Sequence, residues 1–380
     1  MKICNSGSMN VSVKLVLLLS WGIVLLGCGE VSLAVDPLSK NENLYVVDLD
    51  RPESKTTMLS SAVFDSVRTI ILDTVPEAMI GQIRKIQAIG NRILVLDGSQ
   101  SKGLFVFDGG GIFLRQIGRR GSGPGEYLEI ADFTCDPQRR EVYLLDDQRQ
   151  RISRYDIATG EFLSSVGIDR ENGVRSYRIQ YVDGVMFADA YFVAPSDKNY
   201  LLRQIDLSDG KQTAAFLNVK EYNKGWSDIQ MIDGQVFYAT DAKSARFTHR
   251  FMDEVILLDG QRAMPYLKLR SERLMSASDL EKVDTKQDPL SMMMQFWSKN
   301  KIHALGSYRE QDGQVFFEYR QGAAGCNRFC TIPEPGKQSS FIRKTICSTE
   351  MESRPDMRRR LDALHRKGCF ITSIRTYSQS

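Results

Sequence analysis

Few residues of this chain have the type and spacing for acid–base or nucleophilic chemistry. Its 380 residues include three histidines, His249, His303 and His365, and no Gly-x-Ser-x-Gly string. The nucleophile turn of many hydrolases is therefore not found. Carboxylates are numerous, but no pair is singled out by its spacing, although a glycosidase needs only two at a fixed separation. The sequence predicts no catalytic residues.

The cysteines and acidic residues do not form a metal-binding pattern. Cys326 and Cys330 are close enough in sequence to bridge, but no histidine lies near them to complete a zinc site. Asp206, Asp209 and Gly210 lack the full oxygen-ligand spacing of a calcium loop. We expect neither a metal nor a cofactor. After residue 28 an odd number of cysteines remains, which gives no complete disulfide framework: Cys135, Cys326, Cys330, Cys347 and Cys369.

A glycine-rich string, QIGRRGSGPGEY, runs from Gln116 to Tyr127. Its glycines allow backbone conformations closed to other residues, and its proline fixes one φ angle. No Gly-Lys-Ser/Thr follows, so the string is not a phosphate-binding loop. We interpret it as a loop that crosses from one structural repeat to the next. The residues of this predicted crossing are Gly118, Gly121, Gly123, Pro124, Gly125, Glu126 and Tyr127.

Four residues are candidates for contact with a ligand: Arg119, Arg120, Trp226 and His303. For the two arginines, the alternative is charge pairing with Glu126 within the crossing. The ring of Trp226 can stack on a sugar or can anchor a loop in the core. His303 begins a repeat and can point toward a central channel.

A repeat of about fifty residues supplies the elements that must position these side chains. Strands closed by aspartate recur, with Asp97 and Asp146 separated by 49 residues and Asp108 and Asp156 by 48. Weaker copies start at Val185, at Val236 and at Val315. We interpret the strand-closing aspartates as turn residues that bond nearby backbone amides. Repeats of this length predict an all-β β-propeller with blades of about four antiparallel strands. An insertion from Ser276 to Asn300 interrupts the last copies and has a partly helical pattern.

The glycine-rich string and the strands around it resemble a known family, the six-bladed β-propeller lipoproteins of gut-type bacteria, which are relatives of NHL-repeat propellers. The strands Arg68–Asp73 and Ile80–Ile86 also resemble the opening of that family. The resemblance runs from about Val63 to Lys268, and more thinly to Thr345. It implies six blades and an envelope location, and most members have no assigned activity. A sixth blade can be completed by an N-terminal strand, Ser66 to Leu72, or can be incomplete.

The N-terminal segment predicts where the protein is located in the cell, and both ends of the chain lie outside the predicted propeller. An apolar run from Leu15 to Leu26 ends in Gly27-Cys28, which resembles a bacterial lipobox. An ordinary signal peptide or an uncleaved anchor is the alternative. The predicted organisation is a lipoprotein signal peptide at 1–27, a lipid-anchored tether at 28–61, a propeller at 62–347 and a basic segment at 348–380. We expect a lipid on Cys28 to hold the protein at the outer membrane or cell surface.

Composition argues against one class of partner, and the predicted propeller, the predicted anchor and the lack of an identifiable catalytic set favour a binding role. The formal net charge of +3 is too small for a nucleic-acid partner, which usually requires a clustered basic face. The expected function is a ligand-binding or scaffold propeller with a glycan or protein partner. The alternative is a lyase or glycoside hydrolase whose residues converge from several blades in the central channel.

Overall fold

A computed structural model describes residues 35–41, 44–50, 69–170, 173–192, 196, 198–226, 234–241, 243–311, 314–331 and 342–347, with 35, 311, 314, 324–331 and 342–347 described by backbone alone. Five antiparallel sheets, each built on four consecutive strands, dominate these residues. Within them, no helix has the length and apolar character needed to cross a bilayer. The fold is an all-β propeller, and each sheet is one blade.

The strands follow one another in chain order. Two N-terminal strands, β1 (Val35–Asp36) and β2 (Tyr45–Asp48), come before the blades. Blade 1 comprises β3 (Ile83–Ile89), β4 (Arg92–Asp97), β5 (Leu104–Asp108) and β6 (Phe113–Ile117). Two short strands, β7 (Arg119–Arg120) and β8 (Glu126–Tyr127), pair with each other in parallel. Blade 2 comprises β9 (Ile130–Asp136), β10 (Glu141–Asp146), β11 (Arg151–Asp156) and β12 (Phe162–Gly167).

The remaining blades have the same plan. Blade 3 comprises β13 (Ile179–Val182), β14 (Val185–Asp189), β15 (Tyr200–Ile205) and β16 (Gln212–Asn218). Blade 4 comprises β17 (Phe237–Ala239), β18 (Ser244–Phe247), β19 (Glu254–Asp259) and β20 (Arg262–Arg270). Blade 5 comprises β21 (Ile302–Gln311), β22 (Gln314–Gln321), β23 (Ala324–Thr331) and β24 (Ile342–Cys347). The helices are η1 (Pro76–Ala78), α1 (Val219–Tyr222), α2 (Ala277–Leu280) and α3 (Pro289–Ser298).

The apolar strands form blades because both faces of each sheet are covered. In β4, Ile93, Leu94, Val95 and Leu96 are all buried, so the strand is a continuous apolar run rather than an alternating one. Separate apolar clusters join blade 1 to blade 2, blade 2 to blade 3, blade 3 to blade 4, and blade 4 to blade 5. No blade could bury both of its faces alone, so stacking of the blades holds the fold together.

The first strand of each blade lies nearest the axis of the propeller. Contacts between β3 and β9, between β9 and β13, and between β13 and β17 place these strands side by side. The fourth strand is therefore the outer one. We call one end of the propeller the crossing face. There, the outer strand of one blade leads to the inner strand of the next, and the second strand of each blade turns into the third.

The N-terminal segment lies along the outside of the propeller. Strand β1 pairs in parallel with β16, and β2 pairs in parallel with β20, so each adds a fifth strand to an outer edge. Farther along the chain, Ile70 and Leu72 are buried against the face of blade 1 that points away from blade 2. Residues 66–68 lie outside the described residues, so pairing of Ser66 to Leu72 with a last blade stays a prediction.

One copy of the repeat lies in a different register from the one that the sequence indicates. The strand at Val236 is the inner strand β17, whereas the copies at Val185 and Val315 are second strands. The equivalent second strand of blade 4 is β18, whose SARF sequence carries only a weak apolar signal. The predicted helical insertion is confirmed, since α2 and α3 lie between blades 4 and 5.

The strands separate Cys326 from Cys330 but place Cys326 opposite Cys347 of β24 in the antiparallel register. Cys326 and Cys330 both lie on β23, and four residues of extended chain separate their Cα atoms by about 13 Å. A disulfide tolerates at most about 7 Å, so these two cysteines are too far apart on the extended strand to bridge each other. Cys135 is buried and free, and burial raises the pKa of its thiol to about 12. Cys369 lies outside the described residues.

Candidate functional site

Three aspartates at equivalent positions hold the chain where it enters the inner strands. Asp97, Asp146 and Asp189 are the last residues of the second strands of blades 1, 2 and 3, and all three are buried. Each accepts a backbone N–H from the segment just before the inner strand of its own blade. The sequence-based interpretation of Asp97 and Asp146 as residues that bond nearby amides is confirmed.

In blade 1 both oxygens of the Asp97 carboxylate accept hydrogen bonds from backbone N–H groups. Its Oδ1 accepts from Gly81 at 3.0 Å and Gln82 at 2.8 Å, ahead of β3. Its Oδ2 accepts from Ser101 at 2.6 Å and Lys102 at 3.1 Å, in the turn to the third strand. Burial by itself would raise the pKa of Asp97, but these donors outweigh it and hold the pKa below its usual range.

In blade 3 only one oxygen of the Asp189 carboxylate accepts hydrogen bonds from backbone N–H groups. Its Oδ1 accepts from the backbone N–H of Tyr177 at 2.7 Å and of Arg178 at 2.8 Å. Its Oδ2 is buried and has no hydrogen-bond partner. The residue is 0 % exposed, and burial raises the pKa of the carboxyl to about 7.

Buried Arg203 fastens the same crossing segment. Its guanidinium donates to Ser176 Oγ, at 3.0 Å from Nε and 2.9 Å from one terminal nitrogen, and to the carbonyl of Asp169 at 2.9 Å. The hydroxyl of Ser176 in turn donates to the carbonyl of Asp189. Burial lowers the pKa of Arg203 to about 10, so it stays charged at neutral pH. The segment before β13 is therefore fixed from two sides.

The inner strands that these contacts position meet around a small cavity, which we call the axial mouth. Its volume is about 20 Å³, roughly the room for one water molecule. The lining comes from the starts of the inner strands of four consecutive blades: Arg84, Lys85, Ala131, Asp132, Arg178, Gly234, Gln235, Val236 and Phe237. Residues far apart in the sequence are thus brought to one place on the crossing face.

Polar contacts across the mouth join the blades. Lys85 of blade 1 donates to Asp132 of blade 2 at 2.8 Å and to the carbonyl of Phe133 at 2.6 Å. The second oxygen of Asp132 accepts from the backbone N–H of Ile179 in blade 3 at 3.0 Å. Asp132 is thus a bridge between three blades, and its charge is already paired.

Two arginines at the mouth bond only to carbonyls. Arg84 donates to the carbonyl of Ile130 at 3.0 Å, and Arg178 donates to the carbonyls of Gly234 and Tyr177. Neither guanidinium forms an ion pair with a carboxylate within the described part of the chain. A guanidinium has five N–H donors, so both retain donors for a ligand.

The predicted glycine-rich crossing connects β6 of blade 1 to β9 of blade 2. Glu126 accepts from the backbone N–H of Gly123 at 2.7 Å and pairs with Arg119 at 2.7 Å. Arg149 donates to the carbonyls of Gly121 and Glu126, at 3.2 Å and 3.1 Å. At Gly125 the φ angle is +69° and a Cβ would lie 2.8 Å from Phe162, so only glycine fits.

The structure does not bring the predicted ligand contacts to the axial mouth. The Arg119 side chain is 80 % exposed and pairs within the crossing, and Arg120 is exposed beside it. Trp226 is buried and packs edge-on against Phe251 and Phe296. His303 is buried too, with Nε2 3.0 Å from the carbonyl of Gly322. Ligand contact by these residues stays a prediction, and Cys28 lies outside the described residues.

Residues of types used in catalysis or metal binding also occur at other places in the described structure. His249 is buried, and its Nε2 lies 3.0 Å from the hydroxyl of Tyr191. Among the described residues, no group of three or more His, Cys, Asp or Glu side chains could hold a metal ion. Of the described residues that line the axial mouth, Asp132 is the one with a carboxylate.

A larger groove lies on the outer rim rather than on the axis. Its volume is about 780 Å³, and Asp36–Asn41 of the N-terminal segment form one wall. The facing wall includes Glu221 and Tyr222, whose hydroxyl pKa is raised to about 12 by burial and by Glu221. Residues 42–43 lie outside the described residues.

Sequence reasoning missed the mouth residues and Asp189. A signal for Asp189 exists, since the aspartates that close the second strands fall at 97, 146 and 189, with spacings of 49 and 43 residues. Arg84, Asp132 and Arg178 have no such signal, because nothing in the linear sequence marks residues that meet only across blades.

Comparison with known proteins supports the fold and identifies a family. A family model described as Domain of unknown function (DUF4934) matches residues 44–345. A protein of Bacteroides fragilis NCTC 9343, described as exported, is 18% identical with a TM-score of 0.61, over 76% of this chain and 77% of that one. A member of the DUF4221 family from Bacteroides vulgatus ATCC 8482 is 11% identical with a TM-score of 0.46, over 74% and 82%. A comparison with curated proteins finds no match.

Proposed function

The chain belongs to the family described as Domain of unknown function (DUF4934), and we propose that it is a cell-envelope binding module whose ligand site is the axial mouth. One observation carries this proposal. Four blades bring Arg84, Lys85, Asp132, Arg178 and Gln235 to one cavity, although almost 150 residues separate the first from the last. Convergent polar groups in a concave site are the usual mark of a binding site.

The arrangement of the supporting residues favours binding over a purely structural role. Asp97 and Asp189 hold the segments that lead to Arg84 and Arg178, so the mouth is preorganised by buried hydrogen bonds. The arginines nevertheless keep unused N–H donors at the surface of the cavity. A site built only for stability would be expected to pair those charges.

The envelope location is part of the proposal. It is supported by the lipobox-like Leu25-Leu26-Gly27-Cys28 and by the exported description of the Bacteroides fragilis protein. Residues 1–27 would be removed and 28–61 would act as the tether. In cells fed a labelled fatty acid, we expect the wild-type chain to become labelled and a Cys28→Ser variant to remain unlabelled. The variant should also be lost from the membrane fraction. Equal labelling of both would contradict the anchor.

We also propose a sixth blade in addition to the five that the structure describes. The family resemblance supports a sixth blade, and residues 348–380, together with the segment before Ile70, are available to build it. The face of blade 1 that points away from blade 2 is covered by Ile70, Leu72 and Ala78, beside which such a blade would stand. A structure that describes residues 348–380 would count the blades.

Binding is tested with the purified full chain on arrays of envelope polysaccharides and peptides. We expect a ligand whose affinity falls about tenfold or more in Arg84→Ala, since a hydrogen bond to a charged group contributes about 1.5–3 kcal/mol. Arg262→Ala is the matched control, because Arg262 lies at the turn between β19 and β20 on the opposite face and is exposed.

Two results would contradict this proposal. A well-folded sample that binds nothing on the arrays would remove the binding role. A ligand whose affinity is unchanged by Arg84→Ala but lost in Tyr222→Ala would move the site to the outer groove.

A further inference from the structure

We infer that the axial mouth recognises the carboxylate or sulfate group of an acidic saccharide, with Arg84 and Arg178 as the recognising residues. This inference rests on the proposed function and adds the chemical class of the ligand. It follows from the charges that line the mouth, from the size of the cavity and from the way the cations are distributed.

The charge around the mouth is unbalanced in favour of cations. Among the described residues that line the cavity, three carry cationic side chains, Arg84, Lys85 and Arg178, and one carries a carboxylate, Asp132. Lys85 neutralises Asp132 through the contact at 2.8 Å. The two guanidiniums remain, and each bonds only to backbone carbonyls. An anionic ligand group could therefore bond to both guanidiniums, which a neutral ligand could not do with a matching charge.

The residue type points to an oxyanion with two or three oxygens. A guanidinium presents its N–H groups as a planar fork that matches carboxylate and sulfate geometry, which an ammonium does not. Arg84 is exposed, so a ligand can reach its guanidinium from solvent. Arg178 is half-buried, so its guanidinium has less freedom to move. The backbone of Arg178 is held by Asp189, which limits the positions that its side chain can reach.

The size and isolation of the site select a ligand with a single charged group. The cavity holds about 20 Å³, enough for the tip of one oxyanion but not for a whole sugar ring. Arg84 and Arg178 come from blades 1 and 3, which are not neighbours, so their charges meet only at the axis. A nucleic acid requires a continuous track of cations along its backbone, which this arrangement does not provide. A sugar ring that bears one charged substituent can place it at the axis and leave the ring outside.

The test uses pairs of saccharides that differ only in charge, titrated calorimetrically into the full chain at low and moderate salt. Galacturonate oligomers are compared with their methyl esters, and chondroitin sulfate with desulfated chondroitin. Poly-glutamate is included as an acidic polymer that is not a saccharide. The variants are Arg84→Gln and Arg178→Gln, and Arg262→Gln is the control, an exposed arginine of the opposite face that does not line the mouth.

We expect a charged saccharide to bind at least tenfold more tightly than its neutral partner, with the affinity weakening as salt increases. The carboxylate and sulfate arms show which oxyanion is preferred. Arg84→Gln and Arg178→Gln should each abolish the preference, while Arg262→Gln keeps it and all three keep the wild-type melting temperature within a few degrees. If Arg178→Gln proves unstable, Arg84→Gln alone decides, because its side chain is exposed.

The outcomes separate this inference from the function on which it rests. Equal binding of charged and neutral saccharides, still sensitive to Arg84→Gln, would overturn the acidic ligand and leave the binding site in place. Binding of poly-glutamate without any saccharide would overturn the saccharide class. An absence of binding to every probe here and on the envelope arrays would overturn both.

Discussion

Asp97 and Asp189 occupy the same position in blades 1 and 3, yet their carboxyl groups have opposite properties. Both close the second strand of a blade, and both bond the segment that enters the inner strand. Asp97 accepts N–H groups at both oxygens, and its pKa lies below the usual range. Asp189 accepts them at one oxygen only, and its pKa is raised to about 7.

The difference shows that position in the repeat does not determine the charge state of a buried aspartate. Burial raises the pKa of both groups, because it removes water from the charged form. The number of N–H donors then decides the outcome. In blade 1 the turn after Asp97 supplies donors from Ser101 and Lys102, whereas the turn after Asp189 supplies none to Oδ2. Local turn chemistry therefore separates two residues with the same structural role.

The largest effect is expected for Asp97→Asn. An asparagine would place an NH₂ group against the N–H donors of Ser101 and Lys102, or against those of Gly81 and Gln82, leaving two buried donors without an acceptor. We expect a loss of about 3 kcal/mol in the free energy of unfolding at pH 7, measured by urea denaturation. A stability within 0.5 kcal/mol of wild type, roughly the scatter of neutral surface changes, would show that these bonds do not hold the blade.

Asp146→Asn is the matched control in blade 2. Asp146 Oδ2 accepts from the backbone N–H of Leu128 at 2.8 Å, and Oδ1 from that of Arg149 at 3.2 Å. Arg149 is only partly buried, so water can replace one acceptor. The loss should be about 1 kcal/mol, between those of the other two aspartates.

The smallest effect at neutral pH is expected for Asp189→Asn, but this variant should change the pH dependence of stability. Asparagine can keep its oxygen on the N–H groups of Tyr177 and Arg178 and place its NH₂ where Oδ2 has no partner. We expect the free energy of unfolding at pH 7 to stay within about 1 kcal/mol of wild type or to rise.

The sign of the pH effect follows from the raised pKa. Between the ordinary value of 3.8 and about 7, folded Asp189 binds a proton that the unfolded chain releases. This contribution to stability is fully present below the ordinary value and is lost as the pH rises toward 7. Urea denaturation at pH 5 and pH 8 should show a smaller decline in Asp189→Asn than in wild type. An identical decline in both would mean that Asp189 is ionised throughout. Asp97 contributes in the opposite direction, since its stabilisation is lost as the pH falls through its lowered pKa.

A second comparison shows how far local sequence can guide the fold. The string DGQVF occurs at 233–237 and again at 312–316. The first copy leads into the inner strand β17, and the second leads from the inner strand β21 into the second strand β22. Both copies predict a turn followed by a strand. Both strands are confirmed, whereas Asp233, Asp312 and Gly313 of the predicted turns lie outside the described residues. Which strand of the blade follows depends on the pairing partners, which the string itself does not contain.

The sequence by itself determined the class of the fold and the length of its repeat. Apolar strands closed by Asp or followed by Gly recur because each blade must bury both faces and turn tightly at its ends, and these are local requirements. The glycine-rich crossing was also recognisable, since Gly125 leaves no space for a side chain.

Only the tertiary structure decided which residues form the candidate site. Arg84, Asp132 and Arg178 are ordinary polar residues near the starts of three inner strands, and they become neighbours when the blades close around the axis. The tertiary structure also decided that Asp189, unlike Asp97, has an oxygen without a donor. Both results depend on long-range packing, which sets distances and solvation between residues that no spacing in the sequence relates.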